Sequence, residues 1–422
     1  MTGYSYLLFP AMAFLAMSVL SVEAQENSVQ TRTTIQSSAE NAPQKNAQTK
    51  ENAEKRKKRQ QYLHKILTLK DPIKSFGQNG YCINCHQDET PAIFEEWVRS
   101  PHAIAGVGCA DCHVSPKGNP DSVEHFERFF ISPIVTPFDC AKCHKDQLRG
   151  YTSSAHAHSL KSLQNMKEDD PRYPVIVQFK DDNFARCSGC HGSIVKLTPD
   201  NKPDPSTWPN KGAGRSNHDR SHGNCNSCHL GHRFSLQVVR QPDTCLRCHD
   251  GENYPEGDIY RHSAHSSLFE TLARGELQND RPGLYLKGKD IGAPTCAYCH
   301  MNGGGKGLLN RHDPAWRLPR DLCSPEATLT GNAKNLRKNM KSVCNQCHGG
   351  NFTNRFFTHA DKQLQQYQKK TVEPMLQKYL EQLSKLTGND RGKTLKEYSQ
   401  FLAEGKRYRM NLYMGGHSRE QR

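Results

Sequence analysis

The stretch Cys245-Leu246-Arg247-Cys248-His249-Asp250-Gly251-Glu252-Asn253-Tyr254-Pro255 decides what kind of chain this is. Its first five residues form a Cys-x-x-Cys-His unit. That unit occurs eight times, beginning at Cys82, Cys109, Cys140, Cys187, Cys225, Cys245, Cys296 and Cys344. The second cysteines are Cys85, Cys112, Cys143, Cys190, Cys228, Cys248, Cys299 and Cys347, followed by His86, His113, His144, His191, His229, His249, His300 and His348. Random placement at this composition would give roughly 0.03 copies. Two thiols at this spacing bond one porphyrin through thioethers, and the adjacent histidine ligates its iron. Structural zinc also uses Cys-x-x-Cys pairs, but zinc does not explain a histidine directly after every pair. The sequence therefore implies eight covalently attached c-type haems. Of the 17 cysteines only Cys323 is left over, and it reads as a plain free or buried thiol.

The rest of the composition agrees. Only 35% of the 422 residues are hydrophobic, so something other than aliphatic side chains fills the interior. Residues 1–24 end an apolar run in Val22-Glu23-Ala24 and read as a secretory signal peptide, although residues 1–10 contain no Lys or Arg. Export suits haem c, which is attached outside the cytoplasm, and implies the periplasm or an equivalent compartment. No later stretch is apolar enough to span a bilayer. The formal charge is +14. Ionised haem propionates bring this to about +7 in the exported protein, so nothing calls for nucleic acid. The run Lys55-Arg56-Lys57-Lys58-Arg59 reads as a solvated tether or a docking patch.

Residues 25–70 form a polar leader, 71–350 carry all eight units, and 351–422 change character. The units start 20 to 51 residues apart with little alternating pattern between them, which predicts a mainly α fold with much coil. In the last segment Leu364, Tyr367, Val372, Met375, Tyr379 and Leu383, then Leu395, Tyr398 and Leu402, have helical spacing. Gly388-Asn389-Asp390 separates the two runs, which predicts a helical hairpin with a kink at Pro374.

A haem that only passes electrons fills both axial positions, and one that performs chemistry keeps one open. Thirteen of the 21 histidines lie outside the units, more than enough for seven second ligands. His102 in Ser100-Pro101-His102-Ala103, His156 in Ser154-Ala155-His156-Ala157, His265 in Ser263-Ala264-His265-Ser266, and His232 just past the fifth unit are candidates. So are His125, His312 and His359, in plainer contexts. For each, an ordinary surface or core histidine is the alternative.

Several stretches resemble the octahaem hydroxylamine oxidoreductases. They are Ala105–His113, Cys187–His191 leading to Thr207-Trp208-Pro209-Asn210-Lys211-Gly212-Ala213-Gly214-Arg215, Cys225–Ser235, Arg240–Gly251 and Asn310–Leu318. The resemblance implies a mainly helical, commonly trimeric protein with seven bis-histidine electron-carrying haems. It also implies one open, catalytic haem, here the one held by Cys187, Cys190 and His191. In oxidising members the sixth unit is followed by Gly-Pro-Asp-His-Pro, whose Asp-His pair accepts protons over the open face. Here Gly251-Glu252-Asn253-Tyr254-Pro255 stands instead. Asn is no base, and Tyr is a donor at neutral pH. Removing protons from hydroxylamine needs acceptors, whereas breaking N–O bonds in nitrite needs donors. Pentahaem nitrite reductases likewise have a tyrosine shortly after a haem unit. Neither Tyr408 nor Tyr413 aligns with the tyrosine that cross-links the catalytic haem in oxidising members, so no cross-link is expected.

The expectation is therefore reduction of nitrite or nitric oxide at the His191 haem, fed by a partner cytochrome, in a homo-trimer or a larger hetero-oligomer. Two other readings stay open. One is an electron-transfer subunit whose fourth haem is capped by His218 or His222. The other is hydroxylamine or hydrazine oxidation, with His218-Asp219 or Glu252 as the base.

Overall fold

Short helices follow from where the haem units interrupt the chain. In the computed structural model, which describes residues 77–126, 129–251, 255–273, 293–301, 311–317 and 331–414, the α-helices between Gln78 and Cys344 are four to eight residues long, except Gln78–Glu89 and Asn332–Cys344. Proline opens several of them: Pro91–Val98, Pro101–Ile104, Pro137–Ala141 and Pro242–Leu246. At that position its missing N–H has no intrahelical role. The sheet is one hairpin, β1 (Val123–Phe126) antiparallel to β2 (Phe129–Ile131), with Val123 opposite Ile131. The described chain is mainly α with much coil, as the sequence predicts.

The apolar core of the haem-bearing stretch comes in patches. Ile83, Phe94, Trp97, Val98 and Ala103 form one under the first unit, where the Trp97 indole N–H donates to the Val107 carbonyl at 3.0 Å. Phe269, Ala293, Tyr298 and Val343 form another under the seventh and eighth.

The tail is built differently. Helix Gly350–Tyr367 runs through one wide π turn, Gln368–Val372, into Glu373–Lys385. The wide turn ends just before Pro374, whose ring cannot fit a regular preceding turn. The chain reverses at Leu386-Thr387 and returns as Gly388–Met414, starting on Gly388 at φ 56°. The two arms are antiparallel. Phe357, Ala360 and Leu364 meet Leu412 and Tyr413 at one end, and Leu383 meets Leu395 and Tyr398 at the other. The hairpin is tied to the haem-bearing stretch by polar contacts. The Tyr398 hydroxyl donates to the Pro171 carbonyl at 2.6 Å, Lys406 pairs with Glu256 at 3.0 Å, and Arg407 pairs with Asp258.

Candidate functional site

The spare histidines are presented by a recurring local device. Ser100, Ser154 and Ser263 are all buried, and each sits two residues before a histidine. Each serine hydroxyl accepts the backbone N–H three residues on: Ala103 at 3.0 Å, Ala157 at 3.4 Å and Ser266 at 3.1 Å. For Ser100 and Ser263 this is helix N-capping, which fixes His102 and His265 on the first turn of a helix. Ser154 makes the same bond within a turn that holds His156. The small neighbours noted in the sequence are part of this device.

The histidine rings then pair. His86 lies 5.9 Å from His125, His102 6.0 Å from His144, and His113 6.2 Å from His232, between ring centroids. His156 lies 6.0 Å from His249, His229 6.4 Å from His312, and His265 6.2 Å from His348. In every one of these pairs one ring belongs to a Cys-x-x-Cys-His unit and the other does not. Two metal–nitrogen bonds of about 2 Å plus the half-widths of two imidazoles amount to roughly 6 Å. The residues thus fit an iron held between two imidazoles beside a pair of porphyrin-bonding thiols. Burial, with His249 and His191 nearby, pushes the His156 pKa down to about 4. Burial, with His312, His144 and His102 nearby, does the same for His229. Neutral imidazole is the form that binds metal.

Hydrogen bonds at the other ring nitrogen orient the unit histidines. His113 Nδ1 donates to the Ser132 carbonyl at 2.9 Å and His191 Nδ1 to the Ser159 carbonyl at 3.1 Å. A backbone carbonyl accepts, so the proton is on Nδ1 and Nε2 is left for iron.

His191 sits at the end of helix Ser188–His191, enclosed by the loop 210–223. Ala213 N–H donates to the Cys190 carbonyl at 2.9 Å, and the Ser159 hydroxyl to the His191 carbonyl at 3.1 Å. A methyl group added at Gly212 would stand 2.1 Å from Gly192 N, and one at Gly214 2.3 Å from Ser159 Oγ. These glycines let the loop lie directly on the haem-bearing turn, and burial lowers the His191 pKa. Among the described residues, no histidine ring stands opposite His191. His218 Nε2 is 2.8 Å from Asp121 Oδ1. The His222 ring lies tilted 5.6 Å from that of His158, with its Nδ1 3.4 Å from the Ser216 hydroxyl. His359 is also not brought to a unit histidine by any described contact. It lies exposed on the first tail helix with Gln363 Nε2 2.9 Å from its Nε2.

Tertiary contacts set the order of the cofactors. The thiol of Cys82 is a neighbour of that of Cys109, as are those of Cys140 and Cys225, Cys190 and Cys248, and Cys245 and Cys296. The fourth unit thus abuts the sixth rather than the third or fifth. Asn253 and Tyr254 lie outside the described residues; the residues from Pro255 on are tied to the sixth unit. Gly257 N–H donates to the His249 carbonyl at 2.8 Å, and Glu256 lies 3.5 Å from His249 Nδ1 and 3.0 Å from Lys406. Lys406 and Glu256 are functional neighbours that the sequence reading did not single out, because no local pattern joins them. Tyr413 is buried in the tail, where its hydroxyl donates to Asp361, and Tyr408 packs 4.0 Å from Tyr367.

The fold and the repeated Cys-x-x-Cys-His units define a multihaem c-type cytochrome, an electron-transfer or oxidoreductase protein carrying covalent haem c. Three family models match the chain: one for a multihaem cytochrome with seven CxxCH units over residues 210–391, one for cytochrome c3 over 101–250, and one for cytochrome c554 and c-prime over 26–114. A probable nitrite reductase-hydroxylamine oxidoreductase fusion protein of Kuenenia stuttgartiensis is 24% identical over 347 residues, 67% of this chain and 35% of that protein. The cytochrome c nitrite reductase subunit NrfA of Nitratidesulfovibrio vulgaris is 35% identical over 63 residues, 14% of this chain and 12% of that protein. The chain therefore spans about a third or less of the length of these relatives. A solved structure described as a hypothetical multiheme protein shares the fold, with a TM-score of 0.65 and 22% identity over 83% of this chain and 92% of that one. The chain is a multihaem c-type cytochrome, and it is similar to proteins of the nitrite reductase-hydroxylamine oxidoreductase type. No described helix is long and apolar enough to cross a membrane.

Proposed function

We propose that the chain is an exported octahaem oxidoreductase that reduces nitrite or nitric oxide at the haem held by Cys187, Cys190 and His191. The observation that carries this reading is the contrast among unit histidines. Of the eight unit histidines, six face a second histidine across about 6 Å, the span of two iron–nitrogen bonds and two half-rings; His191 faces no histidine ring among the described residues, and His300 is left out of the contrast because its axial partner is not assigned. When bound, the haem supplies an iron that delivers electrons to the nitrogen oxide. The chain does the rest. His191 is held neutral and oriented by the Ser159 carbonyl. The loop 210–223 covers the attachment turn. The Asn253 amide and the Tyr254 hydroxyl donate hydrogen bonds to the oxide oxygen as its bond to nitrogen breaks. His86–His125, His102–His144, His113–His232, His156–His249, His229–His312 and His265–His348 are the axial pairs of electron-carrying haems. Electrons enter from a partner cytochrome. The basic leader and the tail hairpin are the docking surfaces, in a homo-trimer or a larger hetero-oligomer.

An electron-transfer subunit with its fourth haem capped is the rival reading. Among the described residues neither proposed cap faces His191: His218 is bonded through Nε2 to Asp121, and His222 lies beside His158 with its Nδ1 near the Ser216 hydroxyl. An EPR spectrum of the oxidised protein, with and without nitrite, tests the proposal. A high-spin ferric signal that nitrite converts supports an open haem. Low-spin signals indifferent to nitrite would overturn it.

A further inference from the structure

The buried pair Asp121–His218 is not used by the proposed reaction, and it is linked to an axial histidine through one residue. Ser132 makes that link with both of its ends. Its carbonyl accepts the Nδ1–H of His113 at 2.9 Å, and its N–H donates to the His113 carbonyl at 2.8 Å. Its hydroxyl donates to Asp121 Oδ2, and Asp121 Oδ1 accepts from His218 Nε2 at 2.8 Å. The side chains of His218 and Asp121 are 10% and 3% exposed. The other ring nitrogen, His218 Nδ1, is buried and has no hydrogen-bond partner among the described residues. It is the one position on this pair where a proton can be added without breaking a bond.

We propose that His218 is a proton-uptake site coupled to the electron on the iron ligated by His113. One electron enters that iron from the redox partner, and one proton from solvent binds His218 Nδ1. The net charge of the region is then unchanged. Two unit charges in a poorly screened interior attract far more strongly than in water, so uncompensated reduction is disfavoured and protonation of His218 makes it easier. The same hydrogen bonds transmit the effect to the ligand, because second-shell acceptors set the basicity of a metal-bound imidazole. The groups facing His218 suit a proton that comes and goes. Asp121 comes from just before β1, Ser132 from just after β2, Asp139 from helix Pro137–Ala141, and Asp219 from its own loop. Burial works against a charge on His218, yet the Asp121 bond and the Asp219 and Asp139 carboxylates hold its pKa above the usual histidine value. A purely structural role would pin the 210–223 loop to the hairpin but would leave the redox potential insensitive to pH.

This inference rests on His113 and His232 being the axial pair of one haem, as read above. The test is a spectroscopic redox titration of the holoprotein at a series of pH values between 5 and 9. His232→Met identifies the component, because methionine ligation raises the potential of the affected haem. The expected result is that this component's potential falls as pH rises through the His218 titration. In His218→Gln and in Asp121→Asn it becomes flat, while the number of attached haems is unchanged. If His232→Met moves no component, the ligand assignment fails and takes the inference with it. If it moves one component whose potential ignores pH in the wild type, or keeps its slope in both variants, the coupling is overturned and the ligand assignment stands.

Discussion

The haem-bearing stretch and the tail hairpin are both helical, yet they hold together by opposite means. In the tail, one arm running from Gly350 to Lys385 and a returning helix of 27 residues bury Phe357 and Leu364 in one apolar cluster and Leu383, Leu395 and Tyr398 in another. One buried ion pair, Arg337–Asp361 at 2.8 Å, ties the first cluster to helix Asn332–Cys344. In the haem-bearing stretch, helices of four or five residues carry Cys109–His113, Ser188–His191 and Cys296–His300. Helices that short are not stable alone. Polar devices hold them instead: serine caps, glycine contacts and hydrogen bonds such as Tyr151 hydroxyl to the Ala213 carbonyl at 2.6 Å. The lesson is that this stretch uses its cofactors as core, whereas the tail has a core of its own.

The largest expected effect is on the full chain made without haem attachment. Amide hydrogen exchange should lose protection over residues 78–348 and keep it over 350–414. Equal loss in both would show that the tail has no independent core and would break the contrast.

Next is Asp361→Ala. It leaves the Arg337 guanidinium buried without its carboxylate and removes the acceptor of the Tyr413 hydroxyl. Breaking a buried pair this way costs about 3–5 kcal/mol, to be read by denaturant unfolding. A loss under 1 kcal/mol would mean that the apolar clusters alone carry the tail.

Gly212→Ala should cost about 1–3 kcal/mol as an overpacked contact, since its new methyl meets Gly192 and Ser188 backbone. The sharper readout is spectroscopic. It should perturb the high-spin signal expected for the His191 haem and leave the bis-histidine signals alone. Uniform broadening of all signals would show that the loop supports the whole stretch and not this one turn.

The smallest effect concerns pH. His218 is raised above 6.5 despite its burial, so its contribution to stability is full below that value and is lost as pH rises through the folded pKa. Asp121, with His218 and Ser132 outweighing burial, is lowered below 3.8. Its contribution is present above 3.8 and is lost as pH falls through the folded pKa. The pair therefore stabilises most between about 3.8 and 6.5. The melting-temperature difference between wild type and His218→Gln should shrink on the alkaline side, and a constant difference from pH 5 to 9 would remove the charge from the pair.

The sequence by itself determined what is covalent or local. The eight Cys-x-x-Cys-His units, the haem chemistry they imply and the apolar period of the tail can be read without coordinates, because each is set by residues a few positions apart. The wide turn just before Pro374 belongs with them, because a proline ring acts on its own preceding turn. The partners of the histidines were legible only as candidates. That His102 meets His144, that His232 meets His113, and that His359 stays on an exposed face depend on chain segments that packing alone brings together. The same is true of the contact between the fourth and sixth units, the Lys406–Glu256 bridge and the Asp121–Ser132–His113 link. These contacts are made by buried polar groups far apart in the chain, and sequence spacing has no term for them.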